Sequence, residues 1–369
     1  MTTIDLSGIT ASIGSPRYDP KYVTGNRPKH LTITGSGFGN GPTIALFDRF
    51  NGNHGDLLTN SRAADIGTWK NTTTQNSGVS YARIYNDLGR GWLAQRDWMA
   101  PPNPAQAYLV GIYYAHPVTF TEFRFSQRRW IPQLKTYPGQ STPGILPTGS
   151  AWKPTWFGSD GGTDLYANGS GIGAPQANLV IDTYSGGGWT HNSGNGLTPV
   201  NSSGGQFGTG FSFNKPCFTS WYQTGNSLDG QYIDICEGLC FDDANHIHQS
   251  SNAMNAFGNG TGIITTRNYQ GMKVGAWFGW NVQPPTTDYT LVTPLISDVY
   301  LAVGPNSRAC ILASDNPVFN LSSDMYIIPP DSWSDTQIVF SPKPYECLGY
   351  YHLILANGTL IQNVTVTAS

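Results

Sequence analysis

Charge is what this sequence has least of. Lys and Arg total 20, Asp and Glu total 23, and together they make 12% of 369 residues, against about 25% in an average soluble domain. The net charge is -3 and no run of Lys or Arg builds the basic face that phosphate backbones require. No nucleic-acid partner is therefore expected. No stretch approaches the ~18 to 20 uninterrupted apolar residues of a membrane span, so no membrane partner is expected either. Residues 1–14 lack a basic cluster followed by an apolar core of about 7 to 15 residues, the pattern of a cleavable export signal. Cysteine is scarce as well. The five present (Cys217, Cys236, Cys240, Cys310, Cys347) are an odd number and too few for a disulfide scaffold. Cys236 and Cys240 do not form a CxxC, and no second pair follows at zinc-site spacing. Helical periodicity is missing too, since no 12-residue window places apolar residues at i, i+3, i+4 and i+7 without a Gly or Pro.

What is plentiful points to a β protein. There are 44 Gly, 25 Pro, 19 Tyr, 16 Phe and 11 Trp, and 38% of residues are hydrophobic, enough apolar surface to exclude global disorder. The length exceeds the ~250 to 300 residues at which a single core stops growing, so two domains are expected. Alternating or β-branched segments bounded by turn residues recur, among them 30–34, 43–47, 107–114, 119–125, 178–184, 232–236, 271–278, 298–303, 336–340, 351–355 and 362–367. Many short strands of this kind make a sandwich or a jelly roll. The glycine-rich stretches 161–173 and 185–210 read as surface loops.

Near the N-terminus, residues 30–47 read HLTITGSGFGNGPTIALF: a strand, a turn with glycines at 35, 37, 39 and 41, and a second strand. The segment LTITGSGFG resembles the second-strand signature of the TIG family of immunoglobulin-like domains. The C-terminal run, from ACILAS through PPDSWSDTQIVFSP to YYHLILANGTLIQNVTVT, resembles the remaining strands, with Ser334, Asp335 and Thr336 matching the turn before a strand and Asn357 and Gly358 a late hairpin turn. The resemblance implies a sandwich made of residues 1–47 plus 305–369, with residues 48–304 inserted as a separate domain. That insert opens with LFDRFNG and closes with ISDVYLAVG, and is similar to concanavalin A-like jelly rolls, whose first and last strands pair. The combined fold is all-β, an immunoglobulin-like sandwich interrupted by a jelly roll, an arrangement similar to phage and marine bacterial proteins.

Three kinds of chemistry can be sought in such a fold. Family 16 glycoside hydrolases, which share the jelly roll, use an ExDxxE strand, and a retaining mechanism needs two carboxylates about 5 to 5.5 Å apart. Here the strand offers Tyr232, Asp234 and Glu237, with a phenol where the nucleophile belongs. A polysaccharide lyase needs a base such as His or Tyr and a cation to neutralise a uronate. Arg124, Arg128, Arg129, His116 and His191 are candidates, although SQRRW is expected to interrupt strand alternation after Phe125. The segment Asp242, Asp243, Ala244, Asn245, His246, Ile247, His248 concentrates oxygen and imidazole ligands; no cofactor is expected, and calcium near Asp242 and Asp243 is the alternative.

Aromatics beside the long loops carry the remaining signal. Trp152, Trp156, Tyr184 and Trp189 offer flat faces on which the apolar C–H groups of a sugar ring stack, and the amide of Asn192 can bind hydroxyls. These five are the expected ligand-binding residues, and no catalytic residue is assigned. The expected function is a non-enzymatic bacteriophage virion surface protein, a capsid decoration, fibre or tail adhesin. Its partners would be other virion proteins and host-surface glycans, and its state a homo-oligomer or a lattice-bound subunit. It would be assembled in the host cytoplasm and released by lysis. A polysaccharide lyase or glycoside hydrolase is the alternative.

Overall fold

A computed structural model describes residues 30–72, 82–86, 90–94, 111–130, 151–158, 177–185, 188–193, 217–223, 230–236, 269–279, 295–322 and 324–368. The fold is all-β, as the composition requires. Among the described residues four antiparallel sheets contain every strand, and helix is limited to two one-turn 3-10 segments, Phe319–Leu321 and Pro344–Glu346.

The outermost sheet joins the two ends of the described chain. Strand β1 (Leu31–Thr34) lies between β18 (Gln337–Phe340) and β21 (Thr367–Ala368), and β17 (Pro330–Trp333) completes the order β17-β18-β1-β21. The register runs from Leu31 opposite Phe340 to Thr34 opposite Gln337. After β1 the chain reverses through Gly37 and Gly39, both at positive φ (76° and 66°), a region that residues bearing a Cβ resist. The Asp335 carboxylate accepts hydrogen bonds from the Gly37 and Gly39 N–H groups at 3.4 and 3.0 Å. The glycine-rich turn and the Ser-Asp-Thr turn thus form one clasp.

The second sheet has the order β16-β15-β19-β20, from β15 (Cys310–Ser314), β16 (Met325–Ile328), β19 (Tyr350–Ile354) and β20 (Leu360–Ile361). It is a wall shared by two cores. Because strand side chains alternate, Ile311, Ala313, Tyr326, Ile328, Tyr351 and Leu353 pack with Leu31, Ile33, Ile338 and Phe340 of the outer sheet. Cys310, Leu312, Met325, Ile327 and Ile354 face the other way and pack with Phe47, Phe218, Tyr300 and Ala302. All residues of β15 and β16 are buried for this reason, and their sequences read as near-continuous apolar runs.

The third sheet receives that second core. Its order is β12-β11-β7-β14-β5-β4, with β2 also pairing β14; the strands are β2 (Thr43–Asp48), β4 (Arg83–Tyr85), β5 (Trp92–Ala94), β7 (Phe123–Trp130), β11 (Cys217–Gln223), β12 (Gly230–Cys236) and β14 (Leu295–Val303). Strand β2 therefore ends the N-terminal segment inside this sheet, beside β14, so the chain enters and leaves the central region on adjacent strands. Strand β14 is buried along its whole length, being covered on both faces.

The fourth sheet has the order β10-β9-β8-β13-β6-β3, from β3 (Asn71–Thr72), β6 (Ile112–Phe120), β8 (Ala151–Gly158), β9 (Ala177–Ser185), β10 (Gly188–Ser193) and β13 (Tyr269–Gly279). Its inner face meets β7 through aromatic contacts, with Phe157 4.8 Å from Phe123 and 5.4 Å from Phe125, and through the Thr155 hydroxyl donating to Gln127 Oε1 at 2.7 Å. The sequence suggests separate strands on either side of His116 and Pro117, yet β6 continues through them. Tyr269 pairs with Phe120 and Gly271 with Ala115, so residues 116–119 stand out of the ladder, and a proline without an N–H is tolerated there.

One close approach fixes how β5 meets the end of β2. A Cβ on Gly91 would lie 1.8 Å from the Phe50 carbonyl oxygen, so no side chain fits. Gly91→Ala is expected to cost roughly 1 to 3 kcal/mol by overpacking, measurable as a lower urea midpoint at unchanged slope.

Candidate glycan-binding face and the buried charged seam

The arginines that suggested a lyase are committed elsewhere. Contrary to the expected interruption at SQRRW, β7 runs unbroken to Trp130, and Arg124, Arg128 and Arg129 are all buried. Arg128 Nη1 donates to Asp324 Oδ1 and to the Met325 carbonyl, each at 2.6 Å. Arg124 donates to the Arg308 carbonyl and the Ser220 hydroxyl at 3.0 and 2.8 Å, and Arg129 donates to the Thr219 hydroxyl.

Arg128 belongs to a charged seam between the second and third sheets. Arg49 grips Glu346 through two hydrogen bonds of 2.6 and 3.1 Å, and Arg90 donates to Asp298 Oδ2 at 2.5 Å and to the Tyr326 hydroxyl at 3.1 Å. Asp298 also lies 4.0 Å from Arg128 Nε. Burial works against the charge on Arg90, but Asp298 and the phenols of Tyr326 and Tyr345 raise its pKa above the ordinary arginine value. Removal from water pushes the Glu346 carboxyl up, with Arg49 pulling it back. Next to the seam, burial likewise raises Asp48, which accepts from Trp69 Nε1 at 2.7 Å and Arg62 Nε at 3.2 Å. Long polar side chains thus hold the seam together, and each of these arginines has an acceptor on the protein.

An exposed Ser-His-Asp group on the outer sheet does not form a catalytic relay. Ser341 Oγ lies 2.8 Å from His30 Nδ1 and 2.5 Å from Asp331 Oδ2, and Asp331 itself lies 3.2 Å from the same Nδ1. A relay needs the acid on one ring nitrogen and the serine on the other.

The glycosidase-like strand is β12, at the edge of the third sheet. Asp234 is opposite Thr219 and Tyr232 opposite Trp221, and Thr219 and Trp221 are both fully buried; Glu237 lies outside the described residues. Asp242, Asp243, Asn245, His246 and His248 also lie outside them. Among the described residues no three His, Cys, Asp or Glu groups converge as a metal site would require.

The expected sugar-binding aromatics are in strands, not loops. Trp152 and Trp156 belong to β8, Tyr184 to β9, and Trp189 and Asn192 to β10, within the stretch that reads as a loop from 185 to 210. Their backbone positions form a pattern. Trp152 is opposite Tyr184, Tyr184 is opposite Trp189, and on the far side Trp152 is opposite Phe278 of β13. Four aromatic positions therefore stand in one row across β13, β8, β9 and β10, spanning about 14 Å at ~4.8 Å per strand. Asn192 is opposite Ile181, three residues beyond Trp189 and of the other strand parity, so the pleat separates it from this row.

Four residues along β8 is a second row, Trp156–Lys273–Tyr113, with Asn71 opposite Tyr113. Phe157 and Thr155 point inward to β7, so Trp156, Lys273 and Tyr113 point to the other face of the sheet. The register shift between Val274 and Trp277, with Gly275 at φ 77°, brings Lys273 and Phe278 opposite positions of equal parity on β8 despite their odd separation. Trp156 is buried at 3% exposure, so it is part of the packing of this face. Gly271 leaves room for the Tyr113 hydroxyl, which would lie 2.1 Å from a Cβ there. Lys273 is fully buried, and its Nζ has no hydrogen-bond partner among the described residues. Burial lowers its pKa to about 7.

No protein-family model and no curated protein matches the chain. Solved structures with similar folds include an alginate lyase variant in complex with alginate trisaccharide (13% identity, TM-score 0.33, covering 71% of this chain and 99% of that one). A marine PL-14 alginate lyase from Aplysia kurodai has 11% identity and a TM-score of 0.39, covering 71% of this chain and 100% of that one. The Lotus tetragonolobus seed lectin has 13% identity and a TM-score of 0.35, covering 63% and 97%.

Phe278, Lys273 and Tyr113 are absent from the residues the sequence nominates. A lysine in GMKVGAWFG, a strand otherwise apolar on both parities, is the signal that could have found the second row.

Proposed function

We propose that this protein is a non-enzymatic, glycan-binding surface component of bacteriophage virions. The observation that carries the glycan reading is the row Phe278–Trp152–Tyr184–Trp189 across four adjacent strands. Aromatic groups at strand spacing form a flat apolar track suited to successive sugar rings, whose axial C–H faces are apolar. Residues 1–47 with 305–369 act as a mount on other virion proteins, and residues 48–304 present the track. The charged seam supports this division, because buried ion pairs hold one part in a fixed orientation on the other. The absence of a metal ion is assumed in this reading, and the subunit acts as a homo-oligomer or on a symmetric lattice.

The test is direct. The full chain is incubated with a panel of bacterial and algal polysaccharides, and binding and product release are followed together. Binding without new reducing ends or unsaturated uronate is expected, and the W152A/Y184A/W189A variant should bind roughly tenfold or more weakly. Turnover, or binding indifferent to those three changes, would overturn the reading. Antibody labelling of released particles in electron micrographs checks the virion location.

A further inference from the structure

Lys273, in the fourth sheet, stands out against the buried cations of the charged seam. Arg49, Arg90 and Arg128 each meet a carboxylate, whereas among the described residues the Lys273 ammonium has neither a carboxylate nor a hydrogen-bond partner. A buried cation left alone is costly, and proteins keep such groups where something else completes them. Its position is specific. Lys273 is on the outward parity of β13, between Trp156 and Tyr113, and about 13 Å along β8 from the aromatic row at ~3.3 Å per residue.

Resting on the glycan reading above, we propose that Lys273 is the anion-recognition point of this face and that the bound polysaccharide carries acidic groups, sugar carboxylates or sulfate esters. Both offer the same chemistry, an anionic oxygen able to accept a charge-assisted hydrogen bond from a buried ammonium. The tracks are complementary. Aromatic groups hold rings of any sugar and carry no charge preference, while an unmatched ammonium on the same face admits a strand bearing an anion in register with it. Because burial brings the amine to the edge of protonation near neutral pH, an arriving anion secures a proton that the empty site holds weakly. Trp156 and Tyr113 are the partners of Lys273 on the two neighbouring strands, and all three residues are buried.

The experiment measures binding of the full chain to oligosaccharides of one length in three forms, uronate, sulfated and neutral, by calorimetry, for wild type and Lys273→Met. Methionine fills a similar volume without charge and relieves the burial cost, so this variant folds; its melting temperature, at or above that of wild type, confirms it. Wild type is expected to prefer an acidic form over the neutral one, and Lys273→Met to lose tenfold or more on that form with little change on the neutral one. Whichever acidic form binds identifies the anion. A wild type that binds neutral chains as well as acidic ones, or a Lys273→Met variant with unchanged acidic affinity, overturns the inference while leaving the aromatic track intact. Failure of wild type to bind any of the three, or any polysaccharide in the wider panel, removes the glycan reading and this inference with it.

Discussion

Asp298→Asn is expected to lower folding stability by about 3 to 5 kcal/mol, the range for breaking a buried ion pair from one side. The substitution is chosen for what it preserves. Asp298 has φ 49°, and Asn is among the few residues that tolerate this region, so the backbone is not strained. Volume is nearly unchanged too. What disappears is the negative charge shared by Arg90, at 2.5 Å, and Arg128, at 4.0 Å. Arg128 keeps Asp324, but Arg90 is left with the Tyr326 hydroxyl and the faces of Trp92 and Tyr345, 4.3 and 4.7 Å from its guanidinium carbon. Cation–π contacts of this kind contribute ~1 to 2 kcal/mol, less than the lost pairing. Denaturant titration of wild type and variant measures the difference, with exposed Asp331→Asn as the control, expected to move stability by less than about 1 kcal/mol. A loss under 1 kcal/mol for Asp298→Asn would mean that the seam is hydrated and does not fix the second sheet on the third.

The second large effect concerns pH. The lysine at position 273 has a pKa of about 7 in the folded chain against 10.5 in the unfolded one. Between these values the unfolded chain binds a proton that the folded chain does not, so acidification favours unfolding. The contribution of this residue to stability is greatest near pH 10 and above and is lost as pH falls towards 7. The loss attributable to this residue approaches roughly 5 kcal/mol, at about 1.4 kcal/mol per pH unit. Below about pH 7 both states are protonated and the slope from this residue ends. Lys273→Met removes the titrating group, so its stability curve should be flatter across pH 7 to 10 and lie above that of wild type at neutral pH. Parallel curves for the two proteins would show that the amine reaches water. Taken with the binding experiment, the same substitution is expected to stabilise the fold and weaken acidic-glycan binding, the trade expected of a functional group kept at a cost.

The all-β architecture was legible because its signals are local. Alternation and β-branched runs located β2, β9, β12, β13, β14, β18 and β19 to within a few residues. Strands hidden by their composition were not legible. The second half of β7 reads SQRRW because its charged side chains are buried in pairs supplied by residues far away in sequence, and no local pattern reports that. Strand β8 contains Pro154 and β10 has a glycine at its start, so both read as loop. The stretch 362–367 reads as one strand, but the strands are Leu360–Ile361 before it and Thr367–Ala368 at its end, and Asn363 at φ 49° turns the chain between them. Of the candidate site, the aromatic residues were recognisable from type and their alignment was not. Register across β13, β8, β9 and β10 depends on the pairing of β13 with β8, more than 100 residues away, and on a bulge at Gly275 that restores parity.

The placement of β1 beside β21 has a mechanical consequence. Residue 31 is next to residue 368 at one margin of the outer sheet, with the two strands antiparallel. Tension drawn through both of these points would load one rung of the ladder at a time, so that sheet would peel open at modest force. The strands between β2 and β14, which the chain enters and leaves on those two neighbours side by side, would be shielded from the pull.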